Sequence, residues 1–321
     1  MSSQFPPKPP GRQGHSATTP GSGPEASPGA TGAPVTSGAV PALAECFTPR
    51  PQSGPASLNS LAPGHWRALT RMGQPAEAVT VLEAALAAGE PDRGAVDILA
   101  IKDSLTAAYQ AAGRYQDATR TALATLVERE RSQGPGHREA LATRRNLARA
   151  YLAAGKPKDA ITYCRRALEG AERSLGPDDP DTIDAVSVLA SAYHSARRLR
   201  DAIPLYEQAL SDRERVQGPG APDTIAARGN LASAYHSAGR MASAVELYER
   251  TRADCQRVLG PDHHDTLAAR ANLAHGYYAM GRIGEAMNML ESALADCERA
   301  LAPADPLTTA IRESLEAVSR G

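Results

Sequence analysis

The chain has 321 residues and a mass of 33.6 kDa, with Lys+Arg 35 against Asp+Glu 36 and a formal net charge of -1. That balance excludes the strongly basic footprint of a sequence-independent nucleic-acid binder. With a mean hydropathy of -0.37 and no apolar run near the roughly 18 residues needed to span a bilayer, a membrane protein is excluded as well. The opening MSSQFPPKPPGRQG has no apolar stretch behind its basic residues, so a secretory signal is not expected and the compartment reads as cytoplasmic. The first 55 residues hold 12 Pro and 8 Gly, and Lys8, Arg12 and Arg50 against Glu25 and Glu45 leave them at +1. Such a segment cannot bury enough apolar surface to offset its ordering entropy, and residues 1–57 read as a disordered tail. Its Pro6–Pro10 stretch could serve as a polyproline II ligand; a solvated tail with no such role is the alternative.

Beyond the tail the chain is a repeat. Tyr109, Tyr151, Tyr193, Tyr235 and Tyr277 are spaced by 42 residues, in phase with Leu105, Leu147, Leu189, Leu231 and Leu273 and with Ala118, Ala160, Ala202, Ala244 and Ala286. Gly134-Pro135, Gly176-Pro177, Gly218-Pro219 and Gly260-Pro261 punctuate the series, and Ala302-Pro303 closes it. The units run at about 99–140, 141–182, 183–224, 225–266 and 267–308. Gly73 and Ala78 mark a shorter, degenerate unit at about 59–98, so that the repeat domain covers 58–321.

Each unit predicts two helices. In 141–182, Leu147, Ala148 and Tyr151 form one apolar stripe at helical period, and Ala160, Ile161, Cys164, Ala167, Leu168 and Ala171 form a second. Gly155 stands between them, where a helix end favours left-handed backbone. Arg197 replaces that glycine in the third unit and marks it as a softer joint. Asp181, Asp223 and Asp265 are the expected N-caps of the following first helices. Ile311, Leu315 and Val318 predict a last helix over 306–319 that caps the stack. No segment alternates with period two, so no sheet is expected.

The Leu-Ala-x-x-Tyr, Gly and Ala positions resemble those of the tetratricopeptide repeat. The 42-residue unit and the LeuGlyProAsp linkers at 175–182 and 259–266 resemble its kinesin-light-chain subtype, abundant in bacteria. The resemblance implies an all-α chain: a right-handed α-solenoid of about six helix-turn-helix repeats with a C-terminal capping helix. It also implies an inner groove lined by the first helices, in which the Asn before the Leu bonds the backbone of a bound peptide. Here that position is Asn146, Asn230 and Asn272, while Val188 and Ser104 depart from it. Further groove positions are Arg145, Arg149, His194, His236, His275 and Tyr278, with Ser187, Ser191, Ser195, Ser233 and Ser237 between them. Arg145 and Arg149 would suit an acidic residue of the ligand. A solvated helix face with no ligand is the alternative.

Arg144, Arg228, Arg270 and Arg312 lie about 200° from the groove and read as side chains whose stems pack between helices and whose heads meet carboxylates. His194 and His236 lack a third ligand, so no metal is expected. His263-His264 reads as a linker variant. Cys46, Cys164, Cys255 and Cys297 form neither a CxxC pair nor a dense ladder, which argues for free thiols. No nucleotide loop, nucleophile elbow or zinc-helix motif is present, and no cofactor or catalysis is expected. The sequence reads as a monomeric scaffold that binds a protein or peptide partner. The alternative is a peptide-sensing or tail-gated switch acting on a separate effector.

Overall fold

The structure is a computed structural model and describes residues 74–87, 95–301 and 305–320. The tail, its Pro6–Pro10 stretch, Cys46 and the first helix of the shortened opening unit lie outside them. Among the described residues are twelve helices and no strand. They are α1 (Pro75–Ala87), α2 (Ala95–Ala111), α3 (Tyr115–Gln133), α4 (Arg138–Ala153), α5 (Pro157–Ser174) and α6 (Pro180–Ser195), followed by α7 (Leu199–Gln217), α8 (Pro222–Ser237), α9 (Met241–Leu259), α10 (His264–Ala279), α11 (Ile283–Ala300) and α12 (Pro306–Arg320). Every helix packs on its neighbours in the chain. The first helices α2, α4, α8 and α10 also reach α4, α6, α10 and α12 respectively, whereas the second helices do not approach one another as closely. The first helices therefore form the tighter, inner side of an α-solenoid.

The repeated small residues make this spacing possible. Ala118, Ala160, Ala202, Ala244 and Ala286 have no exposed surface, and Leu105, Leu147, Leu189, Leu231 and Leu273 are all buried. At Gly276 a Cβ would fall 2.9 Å from Val245 Cγ2, so any larger residue there would force a shift where α9 meets α10. Removing one such leucine side chain costs about 2–5 kcal/mol, because the helices on either side cannot close the gap.

The turn inside each unit is set by backbone chemistry. The amide of Lys156 donates to the carbonyl of Tyr151 at 2.8 Å, and Arg114, Arg198, Arg240 and Arg282 do the same to Tyr109, Tyr193, Tyr235 and Tyr277. This six-to-one bond closes the helix end only if the residue before the donor is left-handed. Gly155 has φ 69, and Arg197, at φ 60, is the one non-glycine residue in that region among those described. The guanidinium after the turn then lies over the tyrosine ring, at 3.8 Å for Arg282 on Tyr277 and 4.5 Å for Arg198 on Tyr193.

The caps differ from the sequence expectation. Asp179, not Asp181, caps α6, its carboxylate accepting from the Asp181 amide at 2.9 Å; His263 Nδ1 accepts from the Asp265 amide at 3.2 Å, and Ala221 precedes α8. At α6 and α8 the cause is proline: Pro180 and Pro222 hold the first helical φ, and the cap must sit before them; α10 starts in the same register with His264 in that position. Asp181, Asp223 and Asp265 lie in the first helical turn instead, where the helix dipole favours a negative charge.

The basic column packs as expected. Arg228, 1% exposed, reaches Asp254 at 2.6 Å; Arg270 reaches Asp296 at 2.5 Å, Arg312 reaches Glu298 at 2.7 Å and Arg144 pairs with Glu130. Gly170 stands at the phase of Asp254 and Asp296, which is why Arg144 turns back to Glu130. Cys164, Cys255 and Cys297 are buried free thiols, and burial pushes Cys164 up to about 12.

His264 takes the first position of α10, where α6 and α8 have proline. Its imidazole lies 3.6 Å from Asp265 Oδ1 and 3.7 Å from Asp305 Oδ1, which precedes α12. Asp265 and then Asp305 hold the imidazole charged, raising it to about 9 despite its burial. A histidine raised on folding contributes fully below its unfolded value near 6.5, and that contribution is lost as pH rises through about 9. We expect the urea midpoint to fall between pH 6.5 and 9.5 by the equivalent of about 2 kcal/mol, and His264→Gln to flatten the slope; an unchanged slope in the variant would place the titration elsewhere. Arg197→Gly relieves a left-handed non-glycine residue costing on the order of 1 kcal/mol, partly offset by the greater freedom of glycine in the unfolded chain. We expect Tm to rise by about 1–2 °C, and a lowered Tm would show that Arg197 earns its place through contacts of its side chain.

Candidate functional site

On the inner side, the positions singled out in the sequence separate into two chemically different regions. At the N-terminal end, Arg145 and Arg149 of α4 converge on one oxygen of Asp184 in α6, Arg145 Nε at 2.9 Å and Arg149 Nη2 at 2.8 Å from Oδ2. Arg213 of α7 approaches the other oxygen at 3.4 Å and extends to Asp223 of α8 at 3.2 Å. Arg145 also pairs with Asp181 at 3.1 Å, and Arg138 pairs with Asp181 and, at 2.5 Å, with Asp179. Burial pushes the Asp184 carboxyl up, but Arg149, Arg145 and Arg213 outweigh it and hold the group below the ordinary carboxylate range. The four arginines face four aspartates, so the cluster is neutral. Within the chain, Asp181 and Asp184 are the carboxylates that Arg145 meets, and Asp184 the one that Arg149 meets.

Toward the C-terminal end the inner side carries hydrogen-bonding groups. His194 Nε2 lies 2.9 Å from Ser237 Oγ of the next unit, and its ring stands edge-on to Tyr206, centroids 6.2 Å apart. Ser191 Oγ lies 3.0 Å from the Tyr206 hydroxyl. One unit on, His236 stands edge-on to Tyr248 at 6.4 Å. Burial lowers His194, with Arg197 adding to the effect, and burial lowers His236. His275 of α10 is lowered furthest, to about 4, by burial and then by His236. All three imidazoles are therefore neutral near pH 7.

The asparagines are unequal. Asn146 and Asn230 are half-buried, and the Asn230 Oδ1 is a buried acceptor without a hydrogen-bond partner. Asn272 is 8% exposed, and Val188 at the same phase of the third unit is buried. Tyr278 is half-buried and packs on the C-terminal core. The structure thus joins His194 with Ser237 and Tyr206, and His236 with Tyr248, away from the Arg145 and Arg149 cluster.

Sequence reasoning missed Asp184, Arg213, Tyr206 and Tyr248. A signal existed for each. Asp184 interrupts a column that is Ala142, Ala226 and Ala268 in other units; Arg213 sits where Ala171, Cys255 and Cys297 lie; Tyr206 and Tyr248 share a phase with Cys164 and Leu290. Among the described residues no three His, Cys, Asp or Glu side chains gather as a metal site would require, and no helix is long and apolar enough to cross a membrane.

Paired helices stacked through small residues, closed by a terminal helix and lined inside by one helix of each pair, define a helical-repeat solenoid. Tetratricopeptide-repeat family models match residues 97–163, 139–215, 190–254 and 223–299, and the chain belongs to the tetratricopeptide repeat family. No curated protein matches the sequence. The nearly identical kinesin-light-chain TPR-like repeats of Podospora anserina are 27% identical, with 62% of this chain and 94% of that one covered and a TM-score of 0.53. BtubC from P. vanneervenii is 19% identical over 75% and 95% of the two chains, with a TM-score of 0.55. NprR in complex with its cognate peptide NprX is 16% identical over 80% and 70%, with a TM-score of 0.56. At 19% and 16% identity, the likeness to the latter two is one of fold.

Among the described residues Asp184 is the one carboxylate on which three guanidinium groups meet, and its side chain is 25% exposed. We expect Asp184→Asn to lower unfolding stability by about 2 kcal/mol in denaturant titration, with partial solvation keeping the cost below that of a fully buried pair. A loss under about 0.5 kcal/mol would reduce the cluster to an ordinary surface arrangement.

Proposed function

We infer that the protein is a protein–protein interaction scaffold that holds a peptide segment of a partner in its inner groove, as a monomer in the cytoplasm and without catalysis. The observation that carries this reading is the uncharged strip along α6, α8 and α10. Elsewhere the cations between helices are met by carboxylates, as at Arg228 and Arg270. On this strip, imidazole, hydroxyl and amide groups both donate and accept, and such groups satisfy a peptide backbone whatever side chains it carries. The membership of the tetratricopeptide family and the peptide held by NprR, a protein of the same fold, support the reading.

Ser195 and Ser237 are exposed at the ends of α6 and α8, so bulk added there obstructs the strip without entering the core. The test is a pull-down with the full chain beside Ser195→Tyr/Ser237→Tyr and beside Arg250→Ser, an exposed change on α9. We expect the partner to be lost by about tenfold or more in the double variant, equivalent to 1.4 kcal/mol, and kept in the α9 variant. Equal retention by both would move the interaction off the groove.

A further inference from the structure

We propose that the segment around Phe47 in this chain's own tail docks in a cleft between the second helices α1 and α3. Its phenyl ring would fill a gap that the four following units close with side chains of their own. The cleft has a volume of about 490 Å³, and Leu86 of α1, Leu105 and Tyr109 of α2, and Thr121 and Ala124 of α3 line it. It is separate from the strip on α6, α8 and α10, so the inference does not depend on the groove reading.

The repeat shows why the cleft exists. Thr121 shares a phase with Tyr163, Leu205, Leu247 and Met289. Each of those side chains joins its own second helix to the one before it. Tyr163 packs against the cluster of Ala122 and Leu126 of α3, and Leu205 against that of Ala160 and Cys164 of α5. Leu247 packs against the cluster of Ile203 and Tyr206 of α7, and Met289 against that of Val245 and Tyr248 of α9. Thr121 offers α1 only a methyl and a hydroxyl, and the apolar cluster between α1 and α2 does not include it. The later units thereby define what fits the gap: a bulky aliphatic or aromatic side chain.

The chain carries such a side chain within reach. Its two phenylalanines, Phe5 and Phe47, both precede the repeat, and Phe47 is the nearer, 28 residues before Pro75. A flexible chain of that length spans about 30 Å, whereas Leu86 lies about 16 Å along α1 from its first residue. The tether therefore presents the ring at an effective concentration of about 1 mM, and weak intrinsic affinity suffices. The charges agree as well. Arg120 of α3 and Glu83 of α1 are exposed beside the cleft, and Glu45 and Arg50 flank Phe47 on either side.

The test is timed chymotrypsin digestion of the full chain, with cleavage between Phe47 and Thr48 followed by mass spectrometry, beside Thr121→Leu, whose side chain fills the cleft as Leu205 and Leu247 fill theirs. We expect the bond to be cut about tenfold faster in the variant, the ratio of an effective concentration of about 1 mM to an intrinsic Kd of about 0.1 mM. Ala124→Glu, at an exposed position of the same wall, should free Phe47 likewise and decides the matter alone if Thr121→Leu fails to fold. Equal rates in the unaltered chain and the variants overturn the inference: fast cutting throughout means that the cleft takes another occupant or none, and slow cutting throughout means that Phe47 is held elsewhere. Protection lost on about hundredfold dilution would mean that Phe47 enters the cleft of a second copy, and overturns it too.

Discussion

Each first helix in this stack ends on the carbonyl of its own tyrosine, and the rest of the molecule depends on that bond. The amide three residues past the helix reaches back to Tyr109, Tyr151, Tyr193, Tyr235 or Tyr277, which forces one left-handed residue and fixes the angle at which the second helix leaves. Because the same bond recurs every 42 residues, the angle recurs, and identical angles let Ala118 and its equivalents meet the next helix with no surface left exposed. The tyrosine ring is then placed under a guanidinium in four units. Arg197 shows how strongly the packing dictates this geometry, since it imposes φ 60 on a residue with a side chain.

Charge plays two opposed parts. Between helices, arginines with buried stems reach carboxylates, across two units at Asp184 and within one unit at Asp254 and Asp296, and these three acids are all held below their ordinary range. On the inner side toward the C-terminus, burial holds imidazoles neutral. The two kinds of histidine act oppositely on stability. His264, raised on folding, contributes below about pH 6.5 and loses its contribution as pH rises. His275, lowered on folding, contributes above about pH 6.5 and loses its contribution as pH falls toward 4. Both slopes begin at the same unfolded value, so histidine linkage alone centres stability near neutrality, where an unoccupied groove remains uncharged.

The fold was legible in the sequence because a repeat multiplies a weak signal. One Leu-Ala-x-x-Tyr stripe could be any amphipathic helix, but five in one frame, each followed by a residue at the left-handed position, admit few other arrangements. The last helix, with Ile311 and Val318 buried, was legible for the same periodic reason. The caps were misread by two residues; at α6 and α8 a proline at the first helical position puts the cap ahead of it. The site was legible in its columns and not in its pairings. Helical arithmetic places Arg145 and Arg149 on the inner side, but a 42-residue frame compares equivalent positions and is blind to Asp184, which has no equivalent and meets the arginines from the neighbouring unit.

That asymmetry follows from what a repeat conserves in space. Residues of the same phase face the same neighbours, so the Leu, Ala and Tyr columns are set by packing and vary little along this chain. Residues on the inner side face the gap, and nothing in the stack constrains them. Where a charge is introduced there, as at Arg145 and Arg149, desolvation on a partly covered surface makes an internal counter-charge favourable, and Asp184 supplies it from the adjacent helix. Where the groups are imidazoles the same pressure is relieved by giving up the proton, and no counter-charge is needed within the chain. The arginines are thereby matched within the chain, and the imidazoles stay neutral without a counter-charge.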